Sequence, residues 1–116
     1  MTNNTETLEA RYRKYAEDYG VAYTSHDYKR TNRNHDKLHA LLPELRATID
    51  RGEGILRRLM ADQSDAVATW AATHSLPVAE KDALATLEAI AKKGGMIGFG
   101  AGMVIKEWKS GRLVID

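Results

Sequence analysis

The stretch Lys29-Arg30-Thr31-Asn32-Arg33-Asn34-His35-Asp36-Lys37 gathers guanidinium, ammonium, amide and imidazole groups in one short run. Arginine brings a planar fork of donors and lysine a mobile point charge. Arg30, Arg33, Asn34, His35, Asp36 and Lys37 are therefore the candidate partner-binding residues. The same residue types also make an ordinary solvated connection and first helical turn, and Asp27 and Asp36 partly neutralise the run. Recognition of a protein partner is the leading use of such a surface. Binding of a small ligand or nucleic acid through residues 29–39 is the alternative.

Other reactive side chains give weaker signals. His35 and His39 are four residues apart and would share one helix face, but no His-Glu-x-x-His pattern surrounds them. No metal site is assigned. Ser64 and His74 do not make a catalytic dyad without tertiary geometry. Glu6 with Glu9, and Glu80 with Asp82, are explained by helix starts, where carboxylates are favoured. The run Gly94-Gly95-Met96-Ile97-Gly98-Phe99-Gly100 looks superficially like a phosphate-binding loop. It lacks the Gly-Lys-Ser/Thr ending and a strand before it. No catalytic residue and no cofactor follow from these patterns, so a binding domain is favoured over an enzyme.

Charge narrows the partner class. Seventeen basic residues face sixteen acidic ones, eleven against nine up to Arg58 and six against seven beyond it. Neither half carries the basic excess of a phosphate-binding surface, which weighs against nucleic acid. Cysteine is absent, so disulfides, thiolate metal sites and cysteine nucleophiles are excluded and packing must hold the fold. A reducing compartment suits such a chain. No basic-then-apolar leader and no apolar run of membrane-spanning length is visible, so cytoplasmic residence is expected.

With 43% apolar and 28% charged residues, the 116-residue chain has globular composition and a length that fits one domain. The expected layout is a frayed Met1–Thr5, a single helical domain over 6–112, and a tail over 113–116. Leu8, Tyr12, Tyr15, Tyr19 and Tyr23 recur every three or four residues, the period of one helical stripe. Gly20 either ends that helix or lets it continue imperfectly. The polar run Thr24 to Asn34 reads as the connection, with Thr31 or Asn32 as cap. Leu38, Leu41, Leu42, Leu45 and Ile49 mark a second helix, which Pro43 is expected to kink or break.

Arg51-Gly52-Glu53-Gly54 reads as a turn, followed by the short apolar face of Ile55, Leu56, Leu59 and Met60. Asp62 or Ser64 can cap the next helix, which carries Val67, Trp70, Ala71 and His74 on one side. Pro77 suits a first helical turn. Ala83, Leu84, Leu87, Ile90 and Ala91 follow as an inner face, closed by Lys92, Lys93 and a left-handed cap at Gly94. A last helix over Gly95–Lys109 places Met96, Ile97, Gly100, Met103, Val104 and Trp108 at helical spacing. Its glycines are tolerated only where they permit close packing. The tryptophans and the tyrosine stripe are read first as core and only second as docking surface.

Segments 55–61 with 65–75, and 78–93 with 95–109, have the rhythm of stacked helix pairs. The run Gly54-Ile55-Leu56-Arg57-Arg58-Leu59-Met60, then Asp65-Ala66-Val67-Ala68-Thr69-Trp70-Ala71-Ala72-Thr73-His74, resembles a bacterial family of small HEAT-like domains of unknown function. Ala89-Ile90-Ala91 and Trp108-Lys109-Ser110-Gly111 fit the same pattern, over about residues 32 to 112. Ala68 stands where arginine often follows valine in HEAT-like repeats. The resemblance implies stacked antiparallel helices and brings no catalytic residues. The expected fold is all-α, a short HEAT-like stack, with a compact irregular helical bundle as the alternative. The expected role is an intracellular protein-binding or small regulatory adaptor domain.

Overall fold

The computed structural model describes residues 7–115; the expected fraying of Met1–Thr5 lies outside them. The fold is all-α. Six helices are found among the described residues: α1 (Leu8–Thr24), α2 (Tyr28–Arg46), α3 (Glu53–Met60), α4 (Asp65–Ser75), α5 (Glu80–Lys93) and α6 (Gly95–Lys109). Contacts gather them into two units, one up to Gly52 and one from Glu53 onward.

The first unit is the helix pair α1–α2. Thr7 caps α1 by accepting from the Ala10 amide, and the helix runs through buried Gly20 to Thr24. The link to α2 is shorter than the polarity of residues 24–34 suggests. Asp27, not Thr31 or Asn32, is the cap, accepting from the Arg30 amide at 3.2 Å. The polar run is helical because its side chains bind α1. Arg30 pairs with Asp18, and Asn34 Nδ2 donates to Asp18 Oδ2 at 2.8 Å. Pro43 does not break α2. It sits in the last turn, where the lost amide removes only one bond, while Leu38, Leu41, Leu42 and Leu45 are buried on both sides of it. Ile49, expected on that apolar face, lies beyond the helix end and is fully exposed.

In the second unit, Ser64 rather than Asp62 caps α4, its hydroxyl oxygen accepting from the Val67 amide. Pro77 falls in the turn after α4 rather than inside the first turn of α5, whose cap position is Ala79. Gly94 ends α5 at φ 78° and ψ −163°, an extended conformation open essentially to glycine alone and different from the left-handed helical cap expected. α4 packs on α3 and α5, and α6 packs on α5. α6 also meets α4. That closure makes the unit a packed bundle rather than a simple stack of pairs.

Its core joins Ala68, Ala72, Leu76, Ala83, Leu87, Ile90 and Ala101, with Leu84, Ile97, Val104, Ile105 and Trp108 packed around them. Alanines let the backbones come close, and Gly98 takes this furthest. A Cβ on Gly98 would lie 3.0 Å from the Ile90 carbonyl oxygen, so α6 presses directly on the backbone of α5. Leu113 and Ile115, in the tail after α6, also pack against this core. The inner face of α6 is thus Ile97, Gly98, Ala101, Val104, Ile105 and Trp108. Met96, Gly100 and Met103, expected among them, are not part of it.

Candidate functional site

The polar run on α2 divides by depth. Asn34 is buried at 2% exposure and donates both to Asp18 and to the Arg30 carbonyl at 3.0 Å. Arg30 Nε donates to Asp18 Oδ2 at 3.2 Å. These two residues hold α1 to α2. The Arg30 guanidinium keeps the Asp18 carboxyl below the usual aspartate range, with the Asn34 amide adding to the effect. Arg33, Asp36 and Lys37 are exposed. Lys37 Nζ stands 5.2 Å from the centre of the Tyr15 ring, a cation–π distance. His35 is half-exposed, with Nδ1 3.7 Å from Asp36 Oδ1, and its ring centre is 4.8 Å from that of His39. The structure therefore brings the two histidines together. Among the described residues no three side chains of metal-ligating type converge.

The tyrosine stripe is largely cover for the helix pair. Tyr12 is fully buried, and burial pushes its phenol well above the usual tyrosine value. Tyr19 and Tyr23 stack at 5.8 Å, and burial, then its neighbour Tyr23, raises the Tyr19 phenol. In the second unit His74 is 2% exposed beside Trp70, with ring centres 5.3 Å apart. Trp108 Nε1 donates to Glu80 Oε2 at 2.7 Å while its ring joins the core. Both tryptophans are anchored inside their unit. Ser64 is engaged as a cap, its hydroxyl oxygen accepting from the Val67 backbone amide.

Two surface features of the second unit were not apparent in the sequence. A shallow groove of about 260 Å³ runs between the end of α3, the start of α4 and α5. Met60, Ala68 and Ile90 line its floor, and Asp62, Asp65 and Lys93 its rim. Lys93 Nζ is paired with Asp65 Oδ1 at 2.9 Å, so the rim charges largely satisfy each other.

The second feature lies on α6. Phe99 is 67% and Met103 41% exposed. They are four residues apart, with partly buried Met96 a turn before and Lys106 a turn after, so all four recur along one helical stripe. Ala101 and Gly98 face the core from the same helix. α6 is therefore apolar on two sides, one packed and one open to water. Isolated exposed apolar residues are ordinary; here two stand together on a helix that already has its packed face. The sequence signal was present, since Phe99 and Met103 fall outside the period set by Ile97, Ala101, Val104 and Trp108. The glycines around them obscured it.

No family model matches the chain, and no curated protein matches it. Among solved structures, the crystal structure of the protein RPA1889 from Rhodopseudomonas palustris CGA009 is similar. The TM-score is 0.83 at 25% identity, over 94% of this chain and 91% of that one. This likeness concerns the fold. It brings no substrate or partner with it, so function must be argued from the surface. Among the described residues no helix is long and apolar enough to cross a membrane.

Proposed function

We propose that this chain is a protein-recognition domain that docks its partner on the outer side of α6. The observation that carries the reading is the exposure of Phe99 and Met103 side by side on a helix whose other face is already packed. Large, adjacent apolar side chains are costly to leave in water and are the anchors from which interfaces draw most of their binding energy. A cysteine-free composition suits an intracellular regulatory adaptor.

The test is affinity purification of the tagged protein from native cells, in parallel with a Phe99→Ser/Met103→Ser variant. The expected outcome is a reproducible stoichiometric partner recovered with the parent and lost with the variant, at unchanged thermal stability. Recovery of the same partner by both proteins, or of none by either, overturns the reading.

A further inference from the structure

His35 and His39 stand one turn apart on α2, with ring centres 4.8 Å apart and ring planes inclined at 55°. That separation is the one a shared metal ion requires. An ion held about 2.0–2.1 Å from an imidazole nitrogen lies about 3.2 Å from the ring centre. Two rings on one ion, at an angle of about 90–110°, then have centres about 4.5–5.2 Å apart. The pair can chelate by rotation about its side-chain bonds alone, with no movement of the helix. α2 itself is fixed beneath them, because Asn34 and Leu38 are buried and Asn34 is bonded to Asp18.

The surroundings accept a cation. His39 is exposed and His35 half-exposed, so an ion reaches both from water. Asp36, also exposed, holds Oδ1 3.7 Å from Nδ1 of His35. A carboxylate beside that nitrogen orients the ring with Nε2 as the ligand, the common outer contact of a metal-bound histidine. The basic residues of this stretch are directed elsewhere. At helical pitch Arg33 and Lys37 lie about 120° or more round the helix from either histidine. Lys37 faces the Tyr15 ring and Arg30 is bound to Asp18. Arg46 lies two turns beyond His39, its guanidinium donating to the Arg51 carbonyl at 3.1 Å.

We infer that His35 and His39 chelate a divalent transition-metal ion on the surface of α2, with water in its remaining positions. Imidazole nitrogen selects copper, nickel and zinc over magnesium and calcium, and copper should bind most tightly. No third side chain of ligating type converges there among the described residues, so the ion is held by two protein ligands and exchanges readily. The site belongs to the α1–α2 unit and is independent of the recognition reading above.

The full-length protein is titrated calorimetrically with Cu²⁺, Ni²⁺, Zn²⁺ and Mg²⁺, and with Zn²⁺ while the histidine ring resonances are followed by NMR. His26 and His74 are the internal references. The parent is compared with His39→Ala and with His39→Ala/Ala40→His, which keeps four histidines but moves one off the shared face. Ala40 is exposed, so the exchange leaves the core alone. Circular dichroism checks the helix content of each variant.

The expected result is one equivalent of each transition ion bound, copper most tightly, with no heat from Mg²⁺. The His35 and His39 rings should shift together while those of His26 and His74 stay. Both variants should bind at least about tenfold more weakly, since losing an outer-shell contact alone costs about 10–100-fold. Failure of all three transition ions to saturate the parent at millimolar concentration overturns the inference. So do ring shifts at His26 or His74 instead, binding of Mg²⁺ as tight as that of Zn²⁺, or undiminished affinity in the relocated variant. Should a variant lose its helices, the ring shifts of the parent decide, since they need no substitution.

Discussion

Alanine substitution along α6 should separate glycines by what lies against them. In a free helix each glycine-to-alanine change is worth about 0.8–1.0 kcal/mol in the helix's favour. Gly100 and Gly102 can gain this in full, because a Cβ meets open space at one and an ordinary 4.0 Å contact at the other. At Gly98 the new carbon lies 3.0 Å from the Ile90 oxygen and 3.4 Å from that of Ala91. Relaxed carbon–oxygen contacts lie at about 3.3–3.6 Å, so α5 and α6 must move apart by a few tenths of an ångström. The obstacle is backbone, which cannot rotate away. Overpacking of this kind costs about 1–3 kcal/mol. The propensity gain is common to both variants, so Gly98→Ala should be less stable than Gly100→Ala by about that same 1–3 kcal/mol.

The measurement is urea unfolding followed by tryptophan fluorescence. Trp70 and Trp108 are the only tryptophans and both lie in the unit from Glu53 onward, so the signal reports the unit under test. Gly100→Ala and Gly102→Ala should raise the midpoint and Gly98→Ala should lower it or leave it unchanged, at constant denaturant slope. Equal stabilisation by all three would refute the claim that α6 presses on the α5 backbone at Gly98.

Four further outcomes follow from the helix ends and from the α1–α2 unit. Asn34→Ala removes a buried amide that donates to Asp18 and to the Arg30 carbonyl, and should cost about 1–2 kcal/mol, seen as faster amide exchange in α1 and α2. The Asp18 carboxyl is held below its usual value of 3.8 in the folded chain, so its contribution is present above that value. It is lost as pH falls through the folded value, and Asp18→Asn should remove this acid-side dependence in a pH series of unfolding curves. Ser64→Ala should cost about 1 kcal/mol, with Ser64→Asp or Ser64→Thr restoring most of it in the same urea assay. Burial raises the Tyr12 phenol above 10.0, so stability from this group is complete below that pH and declines above it as the unfolded chain ionises. Tyr12→Phe should flatten that alkaline decline, and phenolate absorbance in the folded parent should show one tyrosine fewer titrating.

The site is only half legible in the sequence. The polar run at 29–37 stands out as a recognition surface because arginine, asparagine and lysine are solvated residues by default. Two of its members, Arg30 and Asn34, instead reach back to Asp18, a partner twelve or more positions away that no local pattern announces. Phe99 and Met103 were hidden for the opposite reason. Apolar residues at helical spacing read as core, the glycines among them blur the period, and the positions of α4 and α5 show which side of α6 is covered.

What the chain determines locally is the set of helices. The limits of α6, the Ser64 cap and the inner face of α5 follow from short-range rules of capping, periodicity and charge against the helix dipole, whereas Glu53 and Gly54, expected in the turn, already belong to α3. The tertiary structure decided which glycine is pressed and which is open, that α6 closes onto α4, and that a proline near a helix end can be carried by the leucines around it. The reason is physical. Hydrogen bonds along a helix connect residues four apart, whereas coverage of a side chain depends on elements brought against it from elsewhere in the chain.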